Sequence, residues 1–268
     1  MPDQHVSIDE HVRPYVFEIG GAKALHFSIN EVQSRMLLDD PCALDLEYTR
    51  TMMGFLLFNP QPRRIAMIGL GGGSLAKFCH RHLPETAIKV VEINPHVLAL
   101  RHEFQVPDDD ERLCVALGDG AQMVRREPDS CDVLMVDGFD PYGLPDELSS
   151  QRFYDDCHDM LRQGGLLVVN LHRDHEHFDS FIDRIRRSFD DAVLVVHTPD
   201  KDSTNCIVFA ARGEVFEHCR TGVVRAPRGL GSDAANQLLA AFSLVMAALK
   251  QRRGGAAAGA ANDPADRI

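Results

Sequence analysis

The sequence predicts an α/β protein with an open, doubly wound sheet of seven strands that ends in an antiparallel hairpin. A small β unit precedes this sheet. From residue 63 onward, apolar strand patterns alternate with helix patterns, which is typical of parallel sheets. A glycine-rich turn follows the first of these strands, and an acidic residue ends a later apolar run. Both features are expected at the carboxyl edge of an open sheet, where such folds bind ligands.

The composition is that of a folded protein without an obvious nucleic-acid or membrane partner. The chain has 268 residues, is 44% hydrophobic and carries a formal net charge of -12, which argues against a nucleic-acid-binding face. Its seven cysteines form no Cys-x-x-Cys pair, as expected for reduced thiols in the cytoplasm. No signal-peptide pattern is visible, and the apolar run 238–249 is too short to cross a bilayer. We therefore expect a cytoplasmic protein.

The first elements lie in an N-terminal unit over residues 1–46. Segments 15–19, 24–29 and 32–38 have strand character and are separated by Gly20-Gly21 and Asn30-Glu31. This pattern predicts a small antiparallel β unit. A helix pattern then covers 47–58 and ends at a segment with two prolines, 59–62.

The main domain is predicted over residues 47–230. Its candidate strands are 64–69, 88–92, 113–117, 133–137 and 166–171, and its candidate helices are 74–82, 95–104, 121–126, 150–161 and 175–189. Two further strands, 192–197 and 205–211, are separated by too few residues for a helical crossover. They should therefore pair antiparallel at an edge of the sheet.

A C-terminal helix is predicted over 231–252, with Ser232 or Asp233 as its N-cap. Four apolar residues share one face of this helix, and the face packs either on the domain or on a second subunit. These residues are Leu238, Phe242, Val245 and Leu249. The tail 253–268 is rich in Ala and Gly and is predicted to be disordered.

The turn after the first strand of the main domain predicts a ligand site. Gly69, Gly71 and Gly73 allow the backbone to turn tightly and to approach a ligand at the start of the next helix. The turn departs from the dinucleotide pattern Gly-x-Gly-x-x-Gly, because its last glycine falls one place early. An S-adenosyl ligand therefore fits better than a nicotinamide cofactor. The alternative interpretation is a plain tight turn.

Acidic residues follow the next two strands. Glu92 ends the second strand, where a carboxylate can accept both hydroxyls of a ribose. Asp119 follows the third strand, beside Gly120, where it could accept a hydrogen bond from an adenine amino group. Each acid could instead be a helix cap. Taken together with the glycine-rich turn, the two acids indicate a ligand that contains adenosine.

Residues 136–143 read Val-Asp-Gly-Phe-Asp-Pro-Tyr-Gly and follow a buried strand pattern. They put Asp137 and Asp140 at the same predicted sheet edge. Two carboxylates on one loop suit a site that binds a cation and accepts its proton. Alternatively, one of them only stabilises the turn.

With these motifs the chain resembles the spermidine synthase (polyamine aminopropyltransferase) family, a relative of the class I methyltransferases, over about residues 16–212. The family has Asp-Ser-Ser-Asp-Pro-x-Gly-Pro where this chain has 137–144, followed by a Phe-Tyr or Tyr-Tyr pair, here Phe153-Tyr154. The glycine-rich loop, segment 91–95 and segment 118–120 match in order and spacing. Gln33 falls where the family has a Gln after its β-hairpin.

The resemblance implies transfer of a 3-aminopropyl group from decarboxylated S-adenosylmethionine to an amine such as putrescine, with methylthioadenosine as the other product. It implies a homodimer with a class I methyltransferase-type fold, no tightly bound cofactor and no metal. Asp137 would be the base, and Asp140, Tyr142 and Gln33 would hold the amine. Six residues would hold the donor, namely Gly69, Gly71, Gly73, Glu92, Asp119 and Gly120.

Several positions depart from the family pattern. Gly72 stands where the family has the Asp that holds the aminopropyl ammonium, and Ser74 replaces the last glycine. Glu47, Tyr48 and Thr49 occupy the place of Tyr-His-Glu or Tyr-Gln-Glu. The aminopropyl half of the site is thus altered. An S-adenosylmethionine-dependent methyltransferase and a non-catalytic protein that binds methylthioadenosine or a polyamine remain as alternatives.

Overall fold

The computed structural model describes residues 11–28, 31–140, 143–199, 204–219, 227 and 229–260. Its N-terminal unit is an antiparallel three-stranded sheet in the order β1-β2-β3. The strands are β1 (Tyr15–Ile19), β2 (Ala22–Ser28) and β3 (Glu31–Leu37). Gly20 and Gly21 both have positive φ, 59° and 77°, as a tight two-residue hairpin turn requires. One face of this sheet buries Leu25 and Met36.

The second sheet has seven strands in the order β6-β5-β4-β7-β8-β10-β9. Its strands are β4 (Arg64–Ile68), β5 (Ala87–Glu92), β6 (Leu113–Leu117), β7 (Cys131–Val136), β8 (Leu161–His172), β9 (Val193–His197) and β10 (Asn205–Ala211). The strands from β6 to β8 pair in parallel, whereas β10 lies antiparallel between β8 and β9. The predicted doubly wound sheet with a terminal antiparallel hairpin is confirmed.

Helices cover both faces of this sheet. They are α1 (Glu47–Met52), α2 (Ser74–His82), α3 (Pro95–Ala99), α4 (Gly120–Arg126), α5 (Gln151–Met160), α6 (Phe178–Ser188), α7 (Val215–His218) and α8 (Ser232–Ala260). Successive residues of a strand point to opposite faces of the sheet and therefore belong to different hydrophobic cores. Met67 and Met135 join the core under α1, α2 and α8, whereas Ile68 and Leu134 join the core under α4, α5 and α6. This division explains the nearly continuous apolar strand sequences, because both faces are buried.

Three predicted helices have different bounds in the structure. The pattern 47–58 forms α1 and then a 3-10 helix, Met53–Leu57. Helix α3 ends at Ala99, and i to i+3 bonds such as Leu100 N to Val97 O turn the chain instead. The predicted helix at 175–189 begins only at Phe178, because the preceding residues form turns.

Helix α8 packs on the domain. Its four predicted face residues, Leu238, Phe242, Val245 and Leu249, are all fully buried, and the helix contacts α1 and β9. Its segment Ser232–Gly254 is long and apolar enough to cross a membrane by length and composition, and it is longer than the apolar run 238–249 considered from the sequence. The face that carries these four residues packs against the rest of the domain. The helix extends to Ala260, beyond the predicted end, and residues 261–268 lie outside the described chain.

Candidate active site

The glycine-rich loop turns at the carboxyl end of β4 and leads into α2. Gly69, Gly71 and Gly73 have φ values of 93°, 52° and 69°, which side chains other than glycine rarely adopt. A Cβ atom on Gly69 would lie 2.2 Å from the backbone oxygen of Asp137. Glycine is therefore required here both for the backbone conformation and for the close approach of the β7 end. This contact joins two predicted parts of the site.

Glu92 stabilises this loop from the end of β5. One of its oxygens accepts a hydrogen bond of 2.8 Å from Leu70 N, and the other accepts one of 2.8 Å from Asn94 N. Burial raises the pKa of Glu92, while these backbone N–H groups act in the opposite direction. The carboxylate thus lies beside the loop, as expected for a ribose-binding acid. It is also a structural part of the loop.

Asp119 occupies the N-cap of α4. Its Oδ1 accepts hydrogen bonds from Ala121 N at 2.8 Å and Gln122 N at 3.3 Å, and its Oδ2 accepts one from Gln122 Nε2 at 3.0 Å. Asp119 therefore caps α4, as the alternative interpretation predicted. A carboxylate has about four acceptor positions, so capping does not prevent a further bond. A Cβ on Gly120 would lie 2.4 Å from Ile68, which explains the glycine next to the cap.

Asp137 follows β7 and is surrounded by hydrogen-bond donors. Its Oδ1 accepts a bond of 2.9 Å from Asn170 Nδ2 on β8. The hydroxyl of Tyr48, on α1, lies near enough to interact with the Asp137 carboxylate, and it donates a hydrogen bond of 3.4 Å to Gln33 O. His172 lies near enough to act on the charge of Asp137. The ring of His172 stacks on the ring of Phe139, with the ring centroids 4.2 Å apart.

The environment of Asp137 suits a group that exchanges a proton. Burial raises its pKa, and the hydrogen bonds from Asn170 and Tyr48 partly offset this effect. Burial and the neighbouring carboxylate raise the pKa of Tyr48 well above its ordinary value. Tyr48 therefore stays protonated. Asp137 as a residue is half-buried at the carboxyl edge of the sheet.

The other predicted amine-binding residues are only partly described. Asp140 is half-buried, and its N–H donates a hydrogen bond of 2.9 Å to Gly143 O. Gln33 lies on β3, and its backbone oxygen is 3.4 Å from the Tyr48 hydroxyl. Tyr48 thus connects the N-terminal sheet to Asp137. Tyr142 lies outside the described residues.

The altered half of the site is crowded at Gly72. A Cβ there would lie 2.7 Å from Ser34 Oγ and 2.8 Å from Phe104 Cδ1. Both neighbours are buried. The loop as folded has no room for the aspartate of the family pattern. Glu47, one of the residues that depart from the family pattern, forms an ion pair with Arg50.

Sequence reasoning missed three polar residues that support Asp137. Tyr48 was noted only as a departure, and Asn170 and Asn205 were not considered. Asn170 Oδ1 accepts a bond of 2.9 Å from Asn205 Nδ2. One signal was available: Asn170 is the polar residue within the apolar run 166–171. A polar residue in a buried strand needs a partner. Within the described ranges, no group of three or more His, Cys, Asp or Glu residues is placed to hold a metal ion.

Comparison with known proteins identifies the family of this chain. The sequence profile described as "Spermine/spermidine synthase domain" matches residues 45–199. The polyamine aminopropyltransferase of Chromobacterium violaceum is 38% identical over 198 residues, which are 74% of this chain and 75% of the relative. That of Neisseria meningitidis serogroup B is 37% identical over 197 residues, 73% of this chain and 74% of the relative.

Among solved structures, a probable spermidine synthase from Corynebacterium glutamicum superposes with a TM-score of 0.65 at 22% identity, and covers 75% of this chain and 77% of its own. This similarity supports the fold, and the sequence matches support the relationship. The profile covers more than half of the chain, and the segments it matches include the glycine-rich loop and Asp137. The chain therefore belongs to the spermine/spermidine synthase domain family.

Proposed function

We propose that this protein is an aminopropyltransferase that moves a 3-aminopropyl group from decarboxylated S-adenosylmethionine to a polyamine acceptor such as putrescine. The observation that carries this proposal is Asp137, which lies beside the glycine-rich loop and is oriented by a hydrogen bond from Asn170. The relatives named polyamine aminopropyltransferase support the same activity. The donor would bind along Gly69–Gly73, Glu92 and Asp119. The amine would bind near Asp140, Tyr142 and Gln33.

The reaction needs a neutral amine and an acceptor for one proton. The amine nitrogen attacks the carbon next to the sulfonium, and a C–N bond forms as the C–S bond breaks. The bonding electrons go to sulfur, which leaves as the neutral thioether of methylthioadenosine. The new ammonium gives its proton to Asp137, whose raised pKa favours uptake. Holding both reactants in line would supply much of the rate.

Asp137→Asn tests this role. We expect loss of methylthioadenosine formation by a factor of about 10² to 10⁴, the usual contribution of a general base. Binding of methylthioadenosine itself should change little. Asp179→Asn, the same change at an exposed position in the first turn of α6, is the matched control. Unchanged turnover in Asp137→Asn would refute the assigned role.

A methyltransferase on the same pocket is the second candidate, and the crowding at Gly72 favours it. Without an acid on the loop, no carboxylate there would repel the carboxylate of intact S-adenosylmethionine. Calorimetric titration with the intact and the decarboxylated donor separates the two functions. A tenfold preference corresponds to about 1.4 kcal/mol. Tighter binding of the decarboxylated donor supports aminopropyl transfer, and tighter binding of the intact donor supports methyl transfer.

The predicted homodimer belongs to this proposal. Phe17 and Ile19 lie on one face of the N-terminal sheet and are 56% and 79% exposed, so a second copy that covers this face would bury apolar surface. Light scattering should give a dimer for the wild type and a monomer for Phe17→Glu/Ile19→Glu. Leu239→Glu, at an exposed position on α8, is the control. A double variant that remains dimeric would exclude this face.

We further propose that the protein acts in the cytoplasm on small molecules. All seven of its cysteines are free thiols, which suits a reducing compartment. Its acidic net charge of -12 argues against nucleic-acid binding. Neither donor nor product would be retained as a tightly bound cofactor.

A further inference from the structure

We propose that Asn205 and Asn170 form a relay of two amides that holds Asp137 in one orientation toward the substrate amine. Asn170 and Asn205 are positioning residues, because they act through Asp137. The inference rests on the proposed function, since it assumes that Asp137 receives the proton. It adds two residues from the last parallel strand and the antiparallel hairpin to the proposed mechanism.

The polarity of the hydrogen bonds determines the order of the relay. An ionised carboxylate only accepts hydrogen bonds, so Asn170 must face Asp137 with its amino group. The amide oxygen of Asn170 then points away from Asp137. Because Asn170 is only 2% exposed, this buried oxygen needs a hydrogen-bond donor from the protein. Asn205 Nδ2 supplies that donor at 2.9 Å, and Asn170 Nδ2 lies 2.9 Å from Asp137 Oδ1. Each bond thus determines the direction of the next.

Strand pairing places the three residues in reach of one another. Asn205 is the first residue of β10 and is opposite His172 on β8. Asn170 is two residues earlier on β8 and therefore lies diagonally across the pair. Such diagonal neighbours are within reach of polar side chains. Asp137 follows β7, which is the parallel neighbour of β8. The hairpin therefore reaches the active site through β8.

The relay acts against the effect of burial on Asp137. Desolvation raises the pKa of Asp137, and the bonds from Asn170 and Tyr48 lower it. Among the described residues, the charged or titratable groups near this edge include His172 on β8, which acts on the Asp137 charge, Asp140 on the same loop, Glu92 on β5 and Glu47 on α1. Glu92 is bonded to backbone N–H groups, and Glu47 is paired with Arg50.

Removing the donor at Asn205 allows Asn170 to rotate and turn its oxygen toward Asp137. A carbonyl oxygen in that place disfavours the ionised carboxylate, so the pKa of Asp137 rises. The acid limb of the pH dependence of kcat/KM should then move to higher pH. A hydrogen bond to a charged group contributes enough to shift this limb by about one pH unit, a tenfold loss of rate at a pH below the limb.

The test compares Asn205→Leu and Asn205→Asp with the wild type. Leucine has nearly the same shape but no donor, and aspartate offers only acceptors. The relay predicts a shift to higher pH for the leucine variant and a larger one for the aspartate variant. A charge effect without a relay would move only the aspartate variant. Thr198→Val is the matched control, because Thr198 Oγ1 donates to the backbone oxygen of Asn205 at 3.0 Å in the same hairpin.

Two readouts separate the relay from the proposed function. The first is the pH dependence of transfer from decarboxylated S-adenosylmethionine to putrescine. The second is titration of the Asp137 carboxyl carbon by ¹³C NMR, assigned by its absence in Asp137→Asn. No turnover by the wild type would overturn the proposed function, while the titration still tests the relay. An Asn205→Leu variant that titrates like Thr198→Val would overturn the relay. If Asn205→Leu does not fold, Asn205→Ala makes the same test.

Discussion

Gly72→Ala should destabilise the protein, although alanine is the smallest possible addition. The new Cβ would lie 2.7 Å from Ser34 Oγ and 2.8 Å from Phe104 Cδ1, whereas ordinary contacts of this kind are about 3.5 to 4.0 Å. Ser34 and Phe104 are 6% and 0% exposed, so neither can move into solvent. Overpacking of this kind costs about 1–3 kcal/mol. In a chain of this size, each kcal/mol lowers Tm by about 2–4 °C.

Thermal and urea unfolding of Gly72→Ala measure this cost. Gly118→Ala is the matched control, because a Cβ there has its nearest contact at 3.4 Å, from Val91. Ser34→Ala removes one of the two crowding atoms, so combining it with Gly72→Ala should recover part of the loss. Gly72→Asp should be less stable than Gly72→Ala, because its larger side chain enters the same space. A Gly72→Ala variant as stable as the wild type would refute the reasoning.

The remaining predictions concern two buried charges. Burial lowers the pKa of Lys77 from 10.5 to about 8. Between these two pH values the unfolded chain binds more protons than the folded protein, so the free energy of unfolding rises with pH. The rise is at most about 3 kcal/mol. Urea unfolding at pH 7.5 and 10 should show this rise in wild type and in Lys250→Met, but not in Lys77→Met; equal pH dependence in all three would contradict it. Glu92→Gln should lose about 1–3 kcal/mol of stability and weaken methylthioadenosine binding, because the glutamine NH₂ faces a backbone N–H of Leu70 or Asn94. Unchanged unfolding and unchanged calorimetric affinity would show that Glu92 does not support the loop.

Much of the fold could be predicted because its signals are local. Apolar segments between turn residues indicated each strand of the seven-stranded sheet, and the short separation of 192–197 and 205–211 indicated the antiparallel hairpin. Element ends were predicted less well. Helix α3 was expected to reach residue 104 but ends at Ala99, where i to i+3 bonds replace the helical ones. Helix α8 extends to Ala260, beyond its predicted end at residue 252.

Some parts of the candidate site could likewise be predicted from local sequence, and others could not. Gly69 and Asp137 were found because a glycine-rich turn and an acid at the end of a strand are patterns within a few residues. The structure adds that Gly69 and Asp137 are in contact, because the backbone oxygen of Asp137 occupies the space that a side chain at Gly69 would need. Asp119 was considered for ligand binding or for capping, and its bonds to α4 identify it as a cap. Whether it also binds a ligand remains a prediction.

The sequence by itself determined the fold class and predicted both the sheet edge and the acid that we propose for the site, because periodicity, turn residues and strand ends are encoded by neighbours in the chain. Only the tertiary structure decided which side chains support Asp137. Tyr48, Asn170 and Asn205 come from α1, β8 and β10, and no local pattern relates them. The same holds for Gly72, which is crowded by residues from β3 and the segment after α3. Contacts between distant segments depend on how the elements pack, and a single sequence does not display that packing.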